Sequence, residues 1–98
     1  MRNLYQIYLI SDSTGETLDR IFLALKAQFP SFEYETNNFS FTRTESQTLS
    51  ILKQAREDKN SIILYTIVNS RLAKYLTEKA YERNIPCFGV LGDLILNF

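Results

Sequence analysis

The feature that most limits what this chain can fold into is its alternation of two hydrophobic periods. Residues 4–10 are apolar and β-prone and stop at Ser11-Asp12. Leu18, Ile21, Phe22, Leu25 and Phe29 then recur at helical spacing, up to the helix-ending Pro30. Phe32, Tyr34 and Thr36 alternate with Glu33 and Glu35, the period of a strand with one wet face. Thr44 or Ser46 is placed to cap a second helix through Leu49, Leu52 and Ala55 to about Lys59. Residues 61–68 form a continuous β-branched run, as in a strand buried on both faces. Asn69 or Ser70 caps a third helix carrying Leu72, Ala73, Leu76 and Ala80, and residues 86–91 make a fourth strand.

Strands and helices that alternate at such short spacing imply parallel strands joined by right-handed crossovers. The expected fold is therefore α/β: a three-layer, Rossmann- or flavodoxin-like parallel sheet of about four strands. The half-wet second strand belongs at an edge, and the apolar first and third belong inside. The order 2-1-3-4 satisfies both; 3-2-1-4 is the alternative. In the preferred order the topological switch point lies between strands one and three, where ligands of such sheets bind at the carboxyl ends. Two loops converge there, residues 11–15 and 66–70.

Composition removes several function classes. Eleven basic and eleven acidic side chains cancel, leaving no electrostatic footprint for nucleic acid and no polybasic anchor for a membrane surface. No stretch approaches the length of a membrane span. The chain has no histidine, which excludes imidazole catalysis and most zinc chemistry, and no metal site is expected. Cys87 is the single cysteine, so no internal disulfide forms, and a reducing cytoplasmic location is the natural reading. Cys87 itself reads as a small buried apolar residue, with no basic neighbour to activate it. The 98 residues fit one domain. Leu91, Leu94, Ile95, Leu96 and Phe98 crowd the end, where chains are more often polar, and we expect the polypeptide to continue beyond them.

The sharpest local feature is Ser11-Asp12-Ser13-Thr14-Gly15-Glu16-Thr17, between a buried strand and a helix. Ser13 and Glu16 have capping-box spacing. Amides at a helix start attract anions, Gly15 permits close approach, and Ser11, Ser13, Thr14 and Thr17 add hydroxyls. The loop reads either as a phosphate cradle or as a well-capped helix after a tight turn. Asp12 and Glu16 oppose phosphate unless they are turned aside. Arg43, at the mouth of the second helix, has a fork suited to phosphate or carboxylate. Thr66 and Asn69 at the third strand's end are further candidates, with capping as the alternative. The six tyrosines and seven phenylalanines read mostly as core and edge packing, with Tyr5, Tyr8, Tyr34 and Phe39 as the candidates for an interface.

The run Ile10-Ser11-Asp12-Ser13-Thr14-Gly15-Glu16-Thr17 resembles the opening signature of the pyruvate, phosphate dikinase regulatory protein family, which includes the phosphoenolpyruvate synthase regulators. Phe41-Thr42-Arg43-Thr44 resembles that family's aromatic-x-Arg-Ser/Thr step, and Tyr65-Thr66-Ile67-Val68-Asn69 its Phe-Thr-Leu-Val-Asn strand end. Pro86-Cys87 and Leu91-Gly92 resemble later landmarks. The likeness spans nearly the whole chain. It departs at Gly89, where the family often has aspartate, and at Asp93, where it often has proline.

The resemblance implies a bifunctional enzyme. Such proteins use ADP to phosphorylate a threonine of the dikinase or the synthase, and use inorganic phosphate to remove it, releasing pyrophosphate. The resemblance places the nucleotide loop downstream. The chain itself has no Gly-x-x-x-x-Gly-Lys-Ser/Thr, and none of its glycines precedes a lysine. Residues 1–98 thus read as an N-terminal α/β domain, with ADP or ATP and phosphate bound through a domain that follows, and no catalytic residue here. The dikinase or synthase and a second copy of the chain are the expected partners.

Two rival readings use the same topology. Asp12-Ser13-Thr14-Gly15-Glu16-Thr17 also resembles the flavodoxin phosphate loop, Thr/Ser-x-Thr-Gly-x-Thr, but Asp12 and Glu16 set two carboxylates beside an FMN phosphate. A receiver domain needs an aspartate after its third strand, where Tyr65-Thr66 stand. A non-catalytic docking or dimerisation module is the remaining alternative.

Overall fold

Seven elements follow one another in this computed structural model, which describes residues 4–28, 31, 33–58 and 60–90. They are β1 (Tyr5–Ser11), α1 (Glu16–Ala27), β2 (Tyr34–Phe39), α2 (Glu45–Glu57), β3 (Ser61–Thr66), α3 (Ser70–Glu82) and β4 (Cys87–Gly89). The strands form one sheet ordered β2-β1-β3-β4. All its pairings are parallel. The burial argument from sequence therefore selects the right order, and 3-2-1-4 is excluded.

The pleat of β1 divides the core. Tyr8 and Ile10 point to one face, where they meet Leu52 and Ala55 of α2 and Leu72, Leu76 and Ala80 of α3. Ile7 and Leu9 point to the other and meet Leu18 and Phe22 of α1. One face thus carries two helices and the other carries α1 alone, as right-handed crossovers require when the chain steps from β1 out to β2 and then back past β1 to β3.

Several boundaries differ from the sequence reading. β2 starts at Tyr34 rather than Phe32, which lies outside the described residues, and runs on through Asn37-Asn38-Phe39. Asparagine is a poor strand former. Here pairing to β1 overrides propensity: Tyr8, Leu9 and Ile10 stand opposite these three residues, and the Asn37 amide donates to Gln6 Oε1 at 3.0 Å. β3 stops at Thr66, two residues early, because the amide of Val68 turns to a carboxylate on β1's exit loop. β4 spans three residues; Leu91 of the expected strand lies outside the described residues, as do Phe29, Pro30 and Lys59 of the helix ends.

Tyr8 is fully buried, a core residue, which removes it from the interface candidates. Its ring stacks on Phe39 at 5.8 Å between centroids. Its hydroxyl donates to the Asp58 carboxylate at the end of α2. Burial first, and then that carboxylate, push the phenol well above its ordinary range. Cys87 is half-buried rather than buried, and desolvation by its surroundings pushes the thiol up to about 12, which keeps it protonated.

The departure at Gly89 has a packing cause. Gly89 stands opposite Tyr65 in the β3–β4 register. A Cβ on Gly89 would lie 2.7 Å from the Tyr65 hydroxyl and 2.8 Å from the carbon that bears it. The outer end of the phenol occupies the volume of the missing side chain. On the surface of α3, Lys79 and Arg83 repel each other less than their i,i+4 spacing suggests, because Glu82 lies 3.6 Å from one and 4.0 Å from the other. Such exposed pairs add little stability.

α2 opens with a complete capping box. Thr44 Oγ1 accepts from the Gln47 amide at 3.1 Å, and Gln47 Oε1 accepts from the Thr44 amide at 3.1 Å. Thr44, not Ser46, is the cap. Thr44→Ala is expected to destabilise the fold by about 1 kcal/mol, read as a lower urea midpoint at unchanged slope. An unchanged midpoint would mean that the box contributes nothing.

Candidate functional site

The loop leaving β1 is tied on both sides, and its own carbonyls receive most of the ties. On the β2 side, Thr42 N donates to Ser11 O at 2.8 Å and Phe41 N to Ser13 O at 2.9 Å. Ser40 Oγ donates to Thr14 O and Arg43 Nε to Asp12 O, each at 3.0 Å. The two loops thus zip together past the ends of their strands. On the β3 side, Asp12 N donates to Thr66 O at 3.4 Å, and the Asp12 carboxylate accepts the Val68 amide at 2.9 Å. Asp12 therefore fastens three loops. Its carboxylate is turned away from the start of α1, which removes much of its opposition to an anion there.

With carbonyls 11–14 all engaged, the groups the loop has left are hydroxyls and amides. Helix α1 is capped by Gly15, not by Ser13. Ser13 is unable to reach that role: its carbonyl holds Phe41, and its amide donates to Ser11 Oγ at 3.1 Å. Gly15 has a φ of 88°, the left-handed region that glycine enters without strain, and supplies no side-chain cap. The Thr17 and Leu18 amides, which a cap side chain would take, open α1 at the same corner. Glu16 N reaches only Thr14 Oγ1, at 3.5 Å. A shallow hollow of about 90 Å³ lies against this corner, with Ser11, Thr14, Gly15, Asn38 and Ser40 among its walls. It opens between β1 and β2, whereas the β1–β3 crevice expected from topology is bridged by Asp12.

Arg43 is exposed beside this corner. Its Nε is fixed on Asp12, and its guanidinium lies 5.2 Å from the Phe41 ring. The terminal nitrogens of the fork make no hydrogen bond among the described residues. Phe41 adopts a φ of 53°, a strained conformation for a bulky residue. Gln47 helps to hold it there, accepting from the Arg43 amide at 2.8 Å and donating to Phe41 O at 3.4 Å.

The structure thus gathers Asp12, Ser13, Thr14, Gly15, Thr17 and Arg43 at one corner. Ser11 is buried and supports the loop from within. Thr66 is buried as well and offers its carbonyl to Asp12. Asn69 caps α3 through a 2.9 Å bond from the Leu72 amide. Sequence reasoning did not single out Gln47, Ser40 or Phe41 as site residues. The Thr44-x-x-Gln47 spacing was a readable signal for the first and the aromatic-x-Arg step for Phe41; nothing local marked Ser40. Among the described residues, no group of three or more His, Cys, Asp or Glu stands close enough to hold a metal ion, and no helix is long and apolar enough to cross a membrane.

Amides, hydroxyls and a fixed guanidinium meet at this corner, beside the Glu16 and Asp19 carboxylates of the first turn of α1, and comparison with known proteins gives it a setting. A protein of Pelagibacter ubique (strain HTCC1062), provisionally named a pyruvate, phosphate dikinase regulatory protein, is 60% identical over all 98 residues, which cover 36% of its length. Proteins with the same provisional name in Rhizobium leguminosarum bv. trifolii (strain WSM2304) and Alkaliphilus oremlandii (strain OhILAs) are 39% and 38% identical. Those matches cover 98% and 91% of this chain and 35% and 32% of the relatives. The chain thus spans about a third of the length of the relatives it matches. The profile of the kinase/pyrophosphorylase family matches residues 7–98. On that match, over most of its length, the chain belongs to the kinase/pyrophosphorylase family.

Proposed function

We propose that this chain is the N-terminal domain of a cytoplasmic regulator of pyruvate, phosphate dikinase or phosphoenolpyruvate synthase. The complete protein transfers a phosphoryl group from ADP to a threonine of that enzyme and removes it with inorganic phosphate, releasing pyrophosphate. ADP or ATP is bound by a domain beyond residue 98. The part played by residues 1–98 is to hold a phosphate group, of the target or of free phosphate, at the corner where α1 begins. One observation carries this reading: the start of α1 lacks a side-chain cap, and a guanidinium fixed by Asp12 O stands beside it. Backbone amides and a guanidinium are the donors that phosphate oxygens accept most readily. The relatives' names supply the target.

Two measurements test this reading. Incubating the complete protein with ADP and the dikinase should yield a phosphothreonine by mass spectrometry, and added phosphate should remove it with release of pyrophosphate. For residues 1–98, inorganic phosphate should raise the melting temperature, and Gly15→Ala should abolish that rise. The substitution has room, since its Cβ would sit 3.5 Å from Ser40 Oγ. Its cost of about 1–2 kcal/mol comes from the left-handed backbone, and relieving that strain swings the first amides of α1. A full phosphate response in Gly15→Ala would place the anion elsewhere.

Association of two copies fits the same domain. Phe41, Val68 and Phe88 are 51%, 66% and 57% exposed and offer apolar surface that a second copy would cover. Sedimentation of the chain across a concentration series tests this: a weight that rises with concentration is expected, and a constant monomer weight contradicts it.

A further inference from the structure

A separate cavity lies at the opposite end of the sheet. It is an open cleft of about 370 Å³ beneath the carboxyl ends of α2 and α3, and its floor is the amino ends of β1, β3 and β4. That volume falls within the range of about 300–1,000 Å³ typical of small-molecule sites. Two arginines, Arg56 and Arg83, line it, with Asp58 as its one carboxylate.

Three features make this cleft suited to an anion. First, the two arginines outnumber the Asp58 carboxylate, which is held by the buried Tyr8 hydroxyl. Second, helix ends would ordinarily turn bare, partly negative carbonyls towards such a cleft. Here Ser61 Oγ donates to Ala55 O and Asp58 O at 2.7 and 3.1 Å, and Arg83 Nη1 donates to Lys79 O at 3.0 Å. Third, the positive charge is available. Arg56 makes no ion pair or hydrogen bond among the described residues, and Arg83, beyond its one bond to Lys79 O, has Glu82 as its nearest carboxylate, at 4.0 Å.

The walls are also built in advance. Asn60 and Asn84 both adopt left-handed conformations, with φ of 62° and 58°, and turn the chain from each helix into the next strand. Backbone bonds fix both turns: Gln6 N to Asn60 O at 3.0 Å, Ile85 N to Ala80 O at 3.0 Å, and Ile63 N to Pro86 O at 2.8 Å. A ligand entering this cleft would have few groups to order, which favours affinity.

We propose that this cleft is a second ligand site, taking a small multivalent anion bearing carboxylate or phosphate groups between the Arg56 and Arg83 guanidiniums. It is separate from the corner at α1 and does not depend on the function proposed for that corner. The test is a titration of the isotope-labelled chain with citrate and, separately, with pyrophosphate, followed by amide resonances. Saturable shifts of Asn60, Ser61, Asn84 and Ile85 are expected with at least one of the two, and the responding probe identifies the group as carboxylate or phosphate. Shifts at residues 13–18 report the other site and are read apart. Arg56→Gln removes a side chain with no bond to lose and should weaken the cleft response about tenfold or more. Arg71→Gln, which leaves the cleft intact, should not. Absence of saturable shifts at the four amides with either probe, or equal affinity in Arg56→Gln, would overturn the proposal.

Discussion

Leu76→Ala is expected to cost about 2–5 kcal/mol, a large part of the roughly 5–15 kcal/mol that stabilises a domain of this size. Leu76 is fully buried in α3, in the cluster that joins Tyr8, Ile10 and Ile63 to α2 and α3. Truncation there opens a void where both helices meet the two central strands. Those strands are held in register by their ladder, so the surroundings have little freedom to collapse. Urea denaturation should show a much lower midpoint, or a chain already unfolded at room temperature. Leu25→Ala makes the matched control: Leu25 is on the helical stripe of α1 by spacing but exposed in the fold, and its loss should be nearly silent. Comparable losses at both positions would refute the core assignment.

The second large effect concerns phosphate and has two opposite signs. Arg43→Gln removes the fixed guanidinium and should weaken phosphate binding by about tenfold to a hundredfold, the equivalent of about 1.5–3 kcal/mol for contacts to a charged group. Asp12→Asn should act in the other direction. An asparagine oxygen still accepts the Val68 amide, so the loops stay fastened at a cost of about 1 kcal/mol, while the negative charge near the start of α1 is gone. Phosphate should then bind several-fold more tightly at low salt, and the gain should shrink as salt screens the interaction. Calorimetric titration at two ionic strengths measures both. If Arg43→Gln bound phosphate as well as the parent chain, Arg43 would not be a ligand.

The order of the strands was legible in the sequence because it rests on burial, and burial is written in composition: Glu33 just precedes β2 and Glu35 lies within it, whereas residues 61–68 carry no charge. The caps of α2 and α3 were legible to within two residues each, Thr44 or Ser46 and Asn69 or Ser70, and the fold selects Thr44 and Asn69. The cap at α1 was not. Ser13 has the right chemistry and spacing, but the zipper between residues 11–14 and 40–43 takes its carbonyl and displaces the cap to Gly15. That zipper joins segments nearly thirty residues apart, and no local pattern reports it. The side on which the hollow opens was hidden for the same reason. Only the fold shows that the Asp12 side chain turns to Val68 and bridges the β1–β3 crevice.

The strand order has a consequence for how such a chain emerges from a ribosome. β1 is made first, yet it ends between β2 and β3. When synthesis has passed Phe39, β1 can pair with β2 across α1, but its other edge and the face bearing Tyr8 and Ile10 remain bare until residues 61–66 appear. A nascent chain of that intermediate length presents an unpaired central strand, the kind of edge that recruits other chains. Chaperone contact should therefore be greatest between the emergence of β2 and that of β3, and decline once β3 has docked.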